Sequence, residues 1–446
     1  CKVKPLVLLD GGIEDRKLKT IIKRTKERIN SAYSFCSLNQ KKIKYFPLLI
    51  KEIFRDVMRE KNIRHVQCLF EADNDIASVA KILNCPVLSY DSDFYIYGTL
   101  YIPFDTLDTH VVKNPNGNGY MKCCKIYKVE NLLKSFKGLD QTMLPLAAIL
   151  LGNDYVKYKT FKNFFRHLKL RGASNKRRNH RQCCIETTLI WLSKHTLNNA
   201  IIEVLSSLIK PVRQKILDLI EVNINNYTNI STEVLIPLGF STAYVSLANT
   251  YHLNKSFKFN GDINALTYIE EDCKEENNEK EEEQEQEKED GIETQITNTL
   301  NEFKSMSKNA AVNNLPLWFV NEFLRSKYPA HFMDLIVRCL YICPVQVEDY
   351  CYPSSAITSL KILSVIFRIL KSTIDDKVCY MKYMVRNQNK KLMCCTLEAT
   401  KIMNMCELPS LFNLKEIPLL IRRQILNNTL GITNMDCINE VPPEWR

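Results

Sequence analysis

Three short apolar runs in the first hundred residues each stop at acidic side chains, and no other feature constrains this chain as strongly. Pro5 to Leu9 leads into Asp10-Gly11-Gly12, His65 to Phe70 into Glu71 and Asp73, and Pro86 to Tyr90 into Asp91 and Asp93. Runs of this length bounded by turn residues read as strands. Helix periodicity fills the gaps between them. From Glu14 to Ile29, Leu18, Ile21, Ile22 and Ile29 lie on one side and a row of bases on the other. Over 46–61, Phe46, Leu49, Ile50, Ile53, Phe54, Val57 and Met58 form an i, i+3, i+4 stripe, and over 74–83 so do Ile76, Val79, Ala80 and Leu83. Short strands alternating with helices predict an α/β domain, a parallel sheet with helices on both faces. In such sheets functional groups gather beyond the carboxyl ends of the strands, where these acids fall.

Asp154 adds a further acidic end, after the apolar stretch 144–151 and a Gly152-Asn153 turn. Two acids at i and i+2 off a strand end can face one side and share a hard cation. Two such pairs with single acids can hold two Mg2+ ions about 4 Å apart, which activate a water and stabilise charge on a cleaved phosphate. Carboxylates packed that closely repel without metal, so they are hard to explain as stabilising features. Singly, each has a plain reading. Asp-Gly after a strand is a common turn, and Asp73 or Asp91-Ser-Asp93 suits a helix cap. The conjunction across several element ends is what favours metal.

After Asp154 the pattern turns helical. The stretch 157–181 holds ten Lys/Arg and two His with no acid, interleaved with Tyr158, Phe161, Phe164 and Phe165. The run 270–290 carries 13 acids against three lysines and has no hydrophobic face, the signature of a disordered linker. The expected division is 1–156 α/β, 157–268 basic and helical, 269–295 acidic linker, and 296–446 helical. Because the linker is so acidic, the rest is more basic than the net charge of +11 suggests. Such a balance fits a polyanionic partner, most simply nucleic acid, although it also serves solubility. Seventeen cysteines, odd in number and without a CxxC, read as reduced core thiols rather than a zinc site. The apolar runs are too short to span a membrane, and no membrane association is expected. The expected location is intracellular, nuclear before cytoplasmic.

These acids also carry a resemblance. Val7-Leu-Leu-Asp-Gly-Gly12, Phe70-Glu-Ala-Asp-Asn-Asp-Ile-Ala77, Asn84-Cys-Pro-Val-Leu-Ser-Tyr-Asp-Ser-Asp-Phe94 and Leu144-Pro-Leu-Ala-Ala-Ile-Leu-Leu-Gly-Asn-Asp154 resemble the asteroid branch of the flap endonuclease/XPG superfamily of PIN-like nucleases. Gly172-Ala-Ser-Asn-Lys-Arg-Arg-Asn-His-Arg181 and Trp191-Leu-Ser193 do so too, with weaker echoes at Leu315-Pro-Leu-Trp318 and Pro344-Val-Gln-Val-Glu348. The likeness is dense over 5–195 and sparse beyond.

The resemblance implies a PIN-like sheet and a two-metal, structure-specific DNA endonuclease using Mg2+, with Mn2+ able to substitute. Asp10, Glu71, Asp73, Asp91, Asp93 and Asp154 fall on the superfamily's metal-binding acids. Lys17 and Arg24 fall where flap endonucleases set a Lys and an Arg beside the scissile phosphate; the plain reading of that pair is a solvated helix face. The implied substrate is branched or single-strand-bearing DNA.

Three departures stand out. The superfamily's further Asp would lie upstream of Cys1, Asp73 is shorter than the usual Glu, and no Gly-x-Gly hairpin follows Asp154. In its place Lys157, Lys159, Lys162, Arg166, Lys169, Arg171, Lys176, Arg177, Arg178 and Arg181 are expected to hold DNA by charge, with help from the interleaved aromatics. An exposed loop or an import signal would read the same way. Two other functions stay open. One is a weakened nuclease fold acting as a scaffold in growth-factor receptor signalling, with a protein partner on the C-terminal helical region. The other is an RNA-binding fold that does not cut.

Overall fold

The computed structural model describes residues 3–35, 47–153, 156, 158–168, 179–252, 256–263, 266, 308–372, 380–399 and 408–432. The acidic linker expected at 269–295 lies outside them. The first hundred residues give β1 (Leu6–Leu9), α1 (Leu18–Tyr33), α2 (Ile50–Glu60), β2 (Arg64–Gln67), α3 (Asp73–Leu83), β3 (Val87–Ser89) and β4 (Tyr101–Pro103). The chain forms two compact units. Unit 1 is Cys1–Leu8 with Ala72–Glu276, and unit 2 is Leu9–Glu71 with Asn277–Arg446. The divisions drawn from composition, at 156, 268 and 295, are not the divisions of packing.

In unit 1, β3 and β4 run parallel, with Val87 opposite Tyr101 and Ser89 opposite Pro103. Ala77 and Ala80 of α3 pack with Val87, Phe94, Tyr97, Tyr101 and Tyr227 into a small core. Asn84 ends α3 in the left-handed region, at φ 48°, and so turns the chain toward β3. The helix Leu144–Leu150 is apolar on every side, which demands burial all round. It is met by the helices His180–Leu192 and Lys210–Thr228, and Leu146, Ile149 and Leu150 are fully enclosed. The structure is thus mixed α/β with small sheets; a two-residue antiparallel pair, β5 (Val112–Lys113) with β6 (Tyr120–Met121), adds to unit 1.

Unit 2 corrects two expectations. The region after 296 is not helical throughout. β7 (Leu340–Ile342), β8 (Tyr380–Arg386) and β9 (Leu392–Glu398) form a sheet in that order, β7 parallel and β9 antiparallel to β8. As the central strand, β8 is buried along most of its length, yet it carries Lys382 and Arg386, which disguise it in the sequence. Arg386 is made tolerable by Glu348 (Nε–Oε1 2.8 Å), the Tyr352 carbonyl (2.9 Å) and the ring of Tyr350, 4.0 Å beneath it.

The second correction concerns α2. Its stripe is real, but only Met58 is buried, while Ile50, Ile53, Phe54 and Val57 remain exposed. Arg55 beside Met58 is half-buried, and Arg59, itself exposed, donates to the Ser326 carbonyl at 2.8 Å. α1 behaves as its pattern demands: Ile22, Ile29 and Ala32 pack on Leu340, Tyr350, Met384 and Leu392. Among the described residues no helix is long and apolar enough to cross a membrane.

Candidate functional site

In unit 2 the ends of β1 and β2 are tied together. Cys68 N–H donates to Leu9 O (2.8 Å), Gly11 N–H to Phe70 O (2.7 Å) and Gly12 N–H to Leu69 O (2.9 Å). The backbones approach so closely that a Cβ on Gly11 would stand 2.0 Å from Cys68 O. A Cβ on Gly12 would meet the Met333 Cβ at 2.7 Å. This junction sets Asp10, exposed, and Glu71, half-buried, at neighbouring strand ends.

Burial raises the Glu71 pKa above the ordinary carboxylate range. The Lys17 ammonium opposes that rise, while Asp10 and Glu14 add to it. Lys17 lies 2.9 Å from Glu71 Oε2 and is only 9% exposed. The solvated-face reading therefore fails for Lys17, which sits in a short turn (Asp15–Lys17) before α1 and balances a half-buried carboxylate. Arg24 is exposed on α1.

A third acid stands close by that the sequence did not reveal. Asp334, on the helix His331–Arg338, is 6% exposed and accepts a 2.7 Å hydrogen bond from Ile13 N–H. Arg338 lies 3.3 Å from Asp334 and 2.6 Å from Asp15. Burial pushes the Asp334 carboxyl up to about 7, against the Ile13 N–H and the Arg338 guanidinium. Desolvation pushes half-buried His331 down to about 4.

These two shifts act oppositely on stability. The unfolded chain protonates His331 near 6.5, the folded one only near 4, so acid in that window favours unfolding and this contribution rises with pH. Asp334 ionises near 3.8 when unfolded but only near 7 when folded, so its contribution falls as pH rises through that window. Asp334→Asn removes the falling slope. Thermal melts should show the variant gaining stability from about pH 4 to 6.5 while the parent changes little; parallel profiles would contradict the opposition.

In unit 1, Asp91 is exposed at the end of β3, and its Oδ1 accepts from Asp93 N–H at 2.9 Å. It thus caps the turn Ser92–Tyr95, as the plain reading allowed. Asp93, half-buried, accepts a 2.9 Å bond from the Tyr227 hydroxyl at Oδ2. Sequence reasoning missed Tyr227, which comes from the helix Lys210–Thr228, 134 positions away, with no local signal. Asp73 is half-buried in the first turn of α3; the cap there is Ala72, so Asp73 is not a cap. Asp154 lies outside the described residues.

Of the basic stretch, Lys159, Lys162, Arg166 and Arg181 are exposed; Lys157, Lys169, Arg171, Lys176, Arg177 and Arg178 lie outside the described residues. The aromatic half of that expectation is overturned. Phe161, Phe164 and Phe165 are buried in the unit 1 core, and Phe164 meets Trp191 edge-on at 4.8 Å. An amphipathic turn with aromatics inward and bases outward leaves only charge for nucleic acid.

Among the described residues no group of three or more His, Cys, Asp or Glu side chains is gathered to hold a metal. The two pairs, Asp10 with Glu71 and Asp91 with Asp93, still offer a suitable donor set. Mg2+ takes one or two carboxylates and keeps water in its other positions.

Comparison with known proteins finds similar chains. The chain is 29% identical over 454 residues to protein asteroid of Drosophila melanogaster, a match covering 85% of this chain and 50% of that protein. It is 34% identical over 235 residues to single-strand DNA endonuclease ASTE1 of Homo sapiens, covering 51% of this chain and 34% of the relative. The Danio rerio protein of that name is 35% identical over 220 residues, covering 48% and 30%. The chain thus spans half or less of the length of these relatives. No family model matches it.

Proposed function

We propose that this chain, which is similar to the asteroid proteins, is a Mg2+-dependent endonuclease acting on branched or single-strand-bearing DNA. The observation that supports this most is the pairing of carboxylates at strand ends, in a chain whose relatives include single-strand DNA endonucleases. The fold belonging to this reading is a PIN-like domain. The proposed ligands for Mg2+, or for Mn2+ in its place, are Asp10 and Glu71 in unit 2 and Asp73, Asp91, Asp93 and Asp154 in the stretch 72–276. Bound there, the metal supplies water activation and charge stabilisation on the phosphate.

The chain's own groups do the rest. Tyr227 donates to Asp93 and so fixes which carboxylate oxygen it presents. Lys17 opposes the rise that burial gives the Glu71 carboxyl. Arg24 offers an exposed cation to the phosphate. Lys159, Lys162, Arg166 and Arg181 hold the backbone by charge, a contact that weakens steeply with salt.

The Lys17–Glu71 ion pair also supports a second reading, a weakened nuclease fold working as a scaffold. There the ammonium takes over the charge-balancing task of a metal ion. One experiment separates the two. The full-length protein is incubated with single-stranded and flap DNA in Mg2+, in Mn2+ and in EDTA. Cleavage with either ion and none in EDTA is expected. Cleavage no greater than that of an Asp91→Asn/Asp93→Asn control leaves the scaffold.

A further inference from the structure

The segment from Asp10 to Lys17 carries a proposed metal ligand at one end and the ammonium paired with Glu71 at the other. It has no regular structure until the turn at Asp15–Lys17. Its middle is held from outside. Ile13 N–H donates to Asp334 at 2.7 Å, and Arg338 reaches Asp15 at 2.6 Å while lying 3.3 Å from Asp334. The side chains of Asp334 and Arg338 are 8% and 5% exposed, so two ionisable groups are buried for these bonds. Burial of that kind costs free energy unless every partner is well placed, and it is weak evidence of a purely stabilising role. Gly12 lets the loop lie against this helix, since a Cβ there would come within 3.3 Å of Asp334 Oδ1.

We infer that Asp334 and Arg338 are positioning residues for the cleavage reaction, setting the Asp10–Lys17 loop from a helix more than 300 residues further along the chain. The inference rests on the endonuclease reading. It makes the C-terminal region part of the catalytic apparatus rather than an accessory. The bonds clamp the loop at Ile13 and Asp15, so both functional ends are located by one rigid helix. Loosening such a clamp by about 1 Å is enough to cost about 100-fold in rate.

The test uses the full-length protein, single-stranded DNA and Mg2+, with kcat and KM measured separately. Asp15→Ala and Arg338→Lys each cut one arm of the clamp. The Asp15 side chain is 55% exposed, so its loss leaves the core intact. Both variants should lose about tenfold in kcat, with KM within about twofold, and Asp15→Ala should keep the parent melting temperature. Asp334→Ala should lose about 100-fold, with faster hydrogen exchange at Ile13, and Asp334→Glu should recover part of the loss.

Parent-level kcat in both Asp15→Ala and Arg338→Lys overturns the inference and leaves the endonuclease reading standing. If Asp334→Ala fails to fold, these two variants decide. If the parent itself cuts nothing, the endonuclease reading falls first and takes this inference with it.

Discussion

Asp91→Asn combined with Asp93→Asn is expected to lower DNA cleavage by at least about 100-fold while leaving the fold and melting temperature intact. The reasoning separates charge from structure. The Asp91 cap bond needs only an acceptor, and an asparagine Oδ1 accepts the residue 93 N–H as well as a carboxylate does. The Tyr227 hydroxyl can likewise donate to an amide oxygen at position 93. The substitution therefore removes two negative charges and almost nothing else. If the pair served only as a cap, rate and stability would both survive. If it holds a divalent ion, the loss should reach the scale seen when a main electrostatic stabiliser is removed, about 10²–10³. Steady-state cleavage and thermal melts on the same preparations distinguish the outcomes. A full-rate double variant would remove the metal role from these two residues.

Gly11→Ala is expected to destabilise unit 2 by about 3 kcal/mol, or to prevent accumulation of folded protein. A methyl group here meets Cys68 O at 2.0 Å and Leu69 O at 2.4 Å, and backbone atoms cannot rotate aside. Relief requires the β1 and β2 ends to separate, which breaks the 2.7 Å bond from Gly11 to Phe70 and moves Asp10 away from Glu71. Gly117→Ala is the matched control, because its nearest neighbour would be the Asn114 side chain at 3.6 Å. Chemical denaturation should find the control within about 0.5 kcal/mol of the parent. Equal stabilities for the two variants would mean that the junction yields easily.

What could be read from the sequence was whatever is settled by near neighbours. The acids ending β1, β2 and β3 were visible because an apolar run and the acid that stops it are adjacent in the chain. α1 was visible because a stripe of Ile22 and Ile29 reports one face of one helix. The same reasoning failed where a distant partner decides. For α2 the stripe was seen, but periodicity says that a face exists and not what covers it. Only Met58 and half-buried Arg55 turned inward.

β8 escaped because a central strand can bury Arg386 once Glu348 and Tyr350 arrive from elsewhere, and it buries Lys382 as well. Phe161, Phe164 and Phe165 alternate with bases in a way that describes a stacking groove and a half-buried helix equally well. Tyr227, Asp334 and Arg338 could not have been found at all. Each meets its carboxylate or loop across at least 134 positions of intervening chain.

The division of the chain between its two units has a consequence for synthesis. Residues 72–276 are an unbroken stretch and can fold as soon as they leave the ribosome. Residues 9–71 cannot, because Ile22, Ile29 and Gly12 meet their neighbours at Met333, Leu340 and Met384. At about 5–20 residues per second, the earliest-made part of unit 2 waits on the order of tens of seconds with apolar surface bare. A nascent chain halted near residue 300 should therefore carry a protease-resistant stretch at 72–276 and a cleavable, chaperone-bound stretch at 9–71.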